Sequence, residues 1–183
     1  MPPKNRGKKI LAVIAAGDII GKIKLKGLCV KKAFIHGPQL EQYPYPDACP
    51  FKTNRAGLVR QKLASMGLLS GIDKMEVSPV QADRPLLEQF HIPEYLDAMI
   101  RANEGHFETE MLYMGLGTGD CPVFRGMYDY AAWAVGATVT GAKQILDGTA
   151  AIAFNPSGGY HHAFADHAGG FCYLNDVVLG CMT

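Results

Sequence analysis

The sequence predicts an α/β fold: a parallel sheet with flanking helices. Three observations carry that expectation. The stretch from about Val123 to Leu146 has no proline and is rich in alanine, the composition of a long helix. A short apolar run, Ala150 to Phe154, follows at once between Asp147-Gly148 and Asn155-Pro156, as a buried parallel strand would. The chain of 183 residues, 48% hydrophobic and only 19% charged, has enough apolar material for one core.

Composition also excludes. With 18 Lys+Arg against 17 Asp+Glu, the net charge of +1 makes no field able to hold a phosphate backbone, so no nucleic-acid partner is expected. No apolar run approaches the roughly 18 residues of a membrane span, so no membrane partner is expected either. The five cysteines are an odd number without a CxxC pair, which gives neither zinc-finger spacing nor a disulfide framework and points to a reducing, cytoplasmic setting.

In chain order, residues 1–29 read as an extension. Ile10 to Ala16 is continuously apolar and Lys22 to Lys26 alternates with period two, so the pair is expected to form a hairpin. The preceding basic Lys4 to Lys9 is the start of an export pattern, but no clean A-x-A site follows, and a buried strand is the better reading. Val30 to His36 is a further strand, ended by Gly37-Pro38, and the prolines of Tyr43-Pro44-Tyr45-Pro46 impose a loop. Thr53 or Asn54 then caps a helix whose Leu58, Val59, Leu63 and Met66 should pack on the sheet, with Gly67 past its end. Asp83-Arg84-Pro85 and Pro93-Glu94 open two short helices. Within the long helix, Gly126, Gly136 and Gly141 leave room for a neighbouring backbone. Ala150 to Phe154 is expected to be a central strand.

In open α/β sheets chemistry gathers beyond the carboxyl ends of strands. There this chain carries Asn155-Pro156-Ser157-Gly158-Gly159-Tyr160-His161-His162. Imidazole titrates near neutrality, so an adjacent pair can take up and return protons in one turnover; a metal pair or two solvated histidines are the other readings. Nearby lies Gly169-Gly170-Phe171-Cys172-Tyr173-Leu174-Asn175-Asp176, where Phe171 fits either a core or the wall of a narrow slot. Cys172 fits a buried small hydrophobe.

Taken together, the run GGYHHAFADHAGGFCYLND from Gly158 to Asp176 resembles the histone deacetylase family, with its acetoin-utilisation and acetylpolyamine amidohydrolase members. The segments Cys49-Pro50-Phe51-Lys52-Thr53-Asn54-Arg55, Phe90-His91-Ile92-Pro93-Glu94-Tyr95 and Gly119-Asp120-Cys121-Pro122 are similar to family segments in the same order, so the resemblance spans about residues 30 to 180. It implies an arginase-like fold, with residues 30–183 as its N-terminal portion, and zinc-dependent hydrolysis of an acetylated amine, acetyl-lysine or acetylpolyamine. His161 and His162 match the tandem proton-transfer histidines. Gly170 matches the glycine whose carbonyl meets substrate, and Phe171 an aromatic wall of the tunnel. Asp120 matches an acidic rim residue, although a cap on the long helix suits it equally. Arg55 matches an inner-channel arginine, although a helix-start cation is the plain alternative. Cys49 departs from the family, which generally has histidine there.

The family's zinc-ligating Asp-x-His pair is not found anywhere in Met1 to Thr183, nor are the carboxylates that orient the histidines or the carbonyl-polarising tyrosine. Zinc is therefore expected in full-length relatives and not in this chain alone. Without it, water keeps a pKa of about 15.7 rather than about 7, and two histidines have no nucleophile to activate. The apolar end Val177 to Met182 is expected to find cover in a second copy of the chain or in a missing C-terminal half. The expected activity is thus a deacetylase-family one that this chain does not perform alone, with a non-catalytic, self-associating homologue as the alternative.

Overall fold

The structure is a computed structural model and describes residues 31–183. The hairpin expected over residues 10–26 lies outside the described residues. Three strands form one parallel sheet: β1 (Lys32–Ile35), β2 (Lys74–Val77) and β3 (Ile152–Phe154), in the order β2-β1-β3. Lys32 is in register with Lys74 on one side and Ile152 on the other. The last strand is therefore not central among these three; that place belongs to β1, whose Ala33, Phe34 and Ile35 are buried while β3 is half-buried throughout.

β2 is the element the sequence did not announce. Its four residues, Lys-Met-Glu-Val, are half charged, a composition that keeps a sheet edge from pairing with other chains. Lys32 reaches Asp73 at 2.8 Å just before this strand, and Arg60 holds Glu76 within it.

The helices are α1 (Arg55–Ser65), α2 (Arg84–Leu87), α3 (Pro93–Asn103), α4 (Met127–Leu146) and α5 (Asp176–Met182), with short 3-10 turns at Pro38–Glu41 and Thr109–Leu112. Asp83 caps α2 by accepting from the Leu86 amide, and prolines open α2 and α3 as their fixed φ allows. The long helix starts at Met127 rather than near Val123, because Gly126 takes a φ of 92° and ends the preceding loop. Most of α4 is buried between the sheet, α3 and α5. Gly136 makes that possible on one side, where a Cβ would collide with the Val80 carbonyl, and the side chain of Ile35 comes close to Gly141 on another.

Helix α1 departs from expectation. Leu58, Val59 and Met66 are exposed, and the residues it buries are Ala56 and Gly57, packed against the Pro38–Glu41 turn. A spacing of three to four had marked an apolar face, but the contact is made by the opposite, small-residue side, where Gly57 abuts the Glu41 carboxylate.

Candidate active site

The chain leaves β3 at Phe154 and is turned at once by Asn155, whose side-chain oxygen accepts from the Ser157 amide at 2.9 Å and whose amide group donates to Thr138 at 2.9 Å. It then folds over the carboxylate of Asp176, the first residue of α5, which is fully buried. The Gly159 amide donates to this carboxylate at 3.0 Å, the Tyr160 amide at 2.6 Å and the Thr138 hydroxyl at 2.5 Å. Burial pushes the Asp176 carboxyl up, while these three donors pull it back down. Gly158 has no room for a side chain here, since a Cβ would lie 2.6 Å from an Asp176 oxygen.

With Tyr160 buried and its hydroxyl 2.7 Å from that of Tyr130, the next two residues are delivered to the surface. His161 and His162 are both exposed, with ring centroids 4.2 Å apart and planes tilted by 41°. His161 Nδ1 lies 2.9 Å from the carbonyl oxygen of Gly159.

The second loop closes on the first. Gly169 and Cys172 exchange two backbone hydrogen bonds, of 3.1 and 2.8 Å, around a two-residue turn. Both central residues have positive φ, 53° at Gly170 and 67° at Phe171, as a type I′ turn requires. A left-handed φ costs a non-glycine residue roughly 1–2 kcal/mol, and no other described non-glycine residue adopts one. The turn is held from below by the Tyr45 hydroxyl, which donates to the Phe171 carbonyl at 3.3 Å. Gly170 packs so closely on His162 that a Cβ would sit 2.9 Å from the imidazole. Its own carbonyl accepts from the Cys172 thiol at 3.3 Å.

Asp120 joins this assembly. Its carboxylate accepts from the Gly170 amide at 2.7 Å and from the Thr118 hydroxyl at 2.9 Å, and these two bonds, the hydroxyl's first, hold its carboxyl below the usual range. The capping alternative is thereby removed, since α4 begins seven residues later and Gly126 precedes it. Phe171 is half-buried against the core.

Five of the six residues singled out in the sequence thus lie on three loops joined at Gly170, whose amide reaches Asp120 and whose backbone packs on His162. Arg55 is the sixth. It is exposed at the start of α1, and its guanidinium donates to the Pro50 carbonyl at 3.2 Å, the position of a helix-start cation.

Several supporting residues were less visible in the sequence. His91 is buried and its Nε2 accepts from the Asn175 amide at 3.0 Å; burial pushes its pKa down to about 4, so the ring is neutral. Asn175 caps α5 through Val178 and donates to the Ala163 carbonyl at 2.8 Å, tying the segment after the histidines to that helix. The sequence marks Asn175 and Asp176 only as a polar pair inside the otherwise apolar Phe171 to Leu179. Tyr45 sits between two prolines, where no periodicity points anywhere. Cys121 and Cys172 are buried, and burial pushes their thiols up to about 12 and about 11, away from thiolate chemistry.

The described residues do not make a zinc site. Among the described residues no three His, Cys, Asp or Glu side chains converge as a metal ion requires. A cavity of about 360 Å³ does exist beyond the carboxyl ends of β1 and β2, lined by His36, Glu41, Arg60 and Glu76, but neither tandem histidine lines it. No helix among the described residues is long and apolar enough to cross a membrane.

Comparison with known proteins agrees with this geometry. A profile of the histone deacetylase domain matches residues 49–183. Histone deacetylase 8 of Xenopus tropicalis is 42% identical over 130 residues, 70% of this chain and 34% of that protein. Histone deacetylase RPD3 of Saccharomyces cerevisiae is 33% identical over 151 residues, 81% of this chain and 34% of that protein. The crystal structure of an HDAC homolog from Aquifex aeolicus superposes with a TM-score of 0.73 at 29% identity, covering 82% of this chain and 40% of that one. The chain spans about a third of the length of the curated relatives it matches. Three parallel strands ordered β2-β1-β3, helices packed about them and paired histidines beyond the third strand fit an arginase-like α/β fold, and the chain belongs to the histone deacetylase family.

Proposed function

We propose that this chain carries the proton-handling part of a deacetylase that hydrolyses acetylated amines, acetyl-lysine or acetylpolyamine, and that it does not turn over by itself. One observation carries the reading: Gly170 joins Asp120, fifty positions upstream, to His162 beyond the carboxyl end of β3. Hydrolysis of an amide needs a proton taken from the attacking water and one returned to the leaving amine. Two adjacent exposed imidazoles are chemically suited to both. In this reading Phe171 offers an aromatic wall to the acyl-amine chain, Gly170 and Asp120 fix where that wall stands, and Arg55 stays apart from them at the start of α1. Zinc is the family's means of activating the water. Since the described residues do not converge on a metal, no step is assigned to zinc in this chain.

A chimera tests the reading. Residues 31–183 replace the matching third of the Xenopus tropicalis relative, and fluorogenic acetyl-lysine turnover is measured. The chimera is expected to be active, with His161→Ala lowering turnover by at least about 100-fold. An active chimera indifferent to His161→Ala would overturn the role given to the histidines. For the chain alone, sub-stoichiometric zinc and no turnover are expected, and stoichiometric zinc with turnover lost in His161→Ala would overturn the claim of inactivity.

The non-catalytic reading has one observation of its own. β3 pairs with β1 on one side only among the described strands, so its other edge has backbone groups free for a second copy. Helix α5 contributes less to it than its sequence promised, because Leu179 and Gly180 are buried against α4. Light scattering on the chain distinguishes the readings: a concentration-dependent dimer supports self-association and a persistent monomer removes it.

A further inference from the structure

We propose that the cavity beyond the carboxyl ends of β1 and β2 is a binding site for a small primary ammonium, separate from the paired histidines. The proposal stands without the roles given to His161 and His162, neither of which lines this cavity.

Acceptors gather where the cavity meets the end of β1. His36 follows that strand, and its side chain is only 4% exposed. Its Nε2 lies 3.0 Å from a Glu41 carboxylate oxygen. A carboxylate only accepts, so the neutral ring carries its proton on Nε2 and keeps a lone pair on Nδ1. That nitrogen is buried without a hydrogen-bond partner. A second buried acceptor without a partner, Gln39 Oε1, stands beside Gly37, where a Cβ would approach it to 2.5 Å. The Glu41 carboxylate is seated over Gly57, where a Cβ would collide with it. Two residues without side chains thus make room for two of these acceptor groups.

The charge of the lining has a sign. Its charged side chains are Glu41, Glu76 and Arg60, which leaves one negative charge over when His36 is neutral. Arg60 is committed to Glu76 through two hydrogen bonds, at 2.5 and 3.1 Å, so the uncompensated charge is that of Glu41. Side-chain exposure rises from His36 through Glu41, at 33%, to Arg60, at 42%. The Arg60-Glu76 pair therefore stands at the mouth, and the Glu41 carboxylate lies between it and the buried imidazole.

An occupant must bring donors to the inner end and positive charge to Glu41. A primary ammonium brings both in one group, with three N–H donors and no lone pair to set against the acceptors. A carboxylate would meet the like charge of Glu41. The volume of about 360 Å³ is at the small end of ligand pockets and suits a short alkyl amine. Hydrolysis of an acetylated amine releases an ammonium and an acetate, and this cavity is matched to the first.

The test titrates the 183-residue chain, labelled with nitrogen-15, with 1,4-diaminobutane at constant ionic strength. It is run at pH 8, where alkyl amines are charged and free imidazole is neutral. Potassium chloride and sodium acetate are titrated in parallel. Saturable shifts of the Gly37 and Gly57 amides and of the His36 ring, sharing one midpoint, are expected with the diamine alone. Glu41→Gln should raise that midpoint roughly tenfold or more, the worth of one charged hydrogen bond. Arg60→Gln should lower it, because Glu76 then adds a second unpaired carboxylate; a variant that merely loosened the fold would raise it. Should Glu41→Gln fail to fold by circular dichroism, the unmodified chain and Arg60→Gln decide. Absence of saturation, equal shifts with potassium, saturation by acetate, or shifts confined to His161, His162 and Gly170 each overturn the proposal. So does a folded Arg60→Gln chain whose midpoint is unchanged or raised.

Discussion

The Asp120 carboxylate accepts a hydrogen bond from the amide of Gly170 at 2.7 Å, bringing two loops that are fifty positions apart to one point. Its other oxygen is occupied by Thr118, so the residue is a brace for the Gly170-Phe171 turn as well as an acidic group near the histidines.

Asp120→Asn is expected to weaken the acid limb of stability. The carboxyl is held below its usual range in the folded chain, so its contribution is complete above an unfolded pKa of about 4 and is lost as pH falls through the lower folded value. Urea midpoints measured from pH 7 down to pH 2.5 should fall less steeply in the variant; identical slopes would show that the brace does not titrate.

His91 governs a separate window. Its folded pKa of about 4 lies below the unfolded value of about 6.5, so the unfolded chain takes up the proton first and stability declines as pH falls from 6.5 to 4. The full decline from this group amounts to about 3 kcal/mol. A His91→Gln variant should be less stable at pH 7 and flatter across that window, measured by denaturant unfolding at each pH.

Gly170→Ala combines two penalties. The left-handed φ costs about 1–2 kcal/mol, and the new methyl must move the His162 ring away from a 2.9 Å approach. Lower unfolding midpoints together with a changed His162 ring signal are expected. A variant that matched the parent in both would mean that the turn is not the type I′ form described.

Gly136 and Gly141 share α4 but differ in what faces them. At Gly136 a methyl meets the Val80 backbone, which is not free to move, and Gly136→Ala should cost at least the 1–3 kcal/mol or so of an overpacked core. At Gly141 the nearest atoms are side-chain carbons of Ala153 and Ile35 at 3.2 and 3.3 Å, and the helix propensity of alanine, up to about 1 kcal/mol, offsets the squeeze. Thermal melts of the two variants should separate widely.

The legible parts of this molecule were those with local signals. Proline and a capping Asp83 located α2 and α3, alanine content located α4, and glycines with paired histidines located the strand-end loop. Strand β2 escaped because an edge strand of four residues with two charges has no apolar pattern to show. Helix α1 was located correctly and faced wrongly, because small Ala56 and Gly57 outcompete larger side chains where a turn approaches closely. The site's motifs named the residues that face outward, His161, His162 and Phe171. The groups that hold them, Asp176, Tyr45 and Asn175, act across long sequence separations on backbone atoms, for which no residue pattern exists.

The place of β1 between β2 and β3 has a consequence during synthesis. Lys32 can pair with Lys74 early, but its second partner, Ile152, is made almost a whole described chain later. At about 5–20 residues per second, the ribosome leaves one side of the future central strand uncovered for on the order of ten seconds. During that interval Ala33, Phe34 and Ile35 form an open apolar edge, and the nascent chain is at its most vulnerable to capture by other strands. The paired histidines follow β3, and so leave the ribosome only after the strand that covers that side of β1.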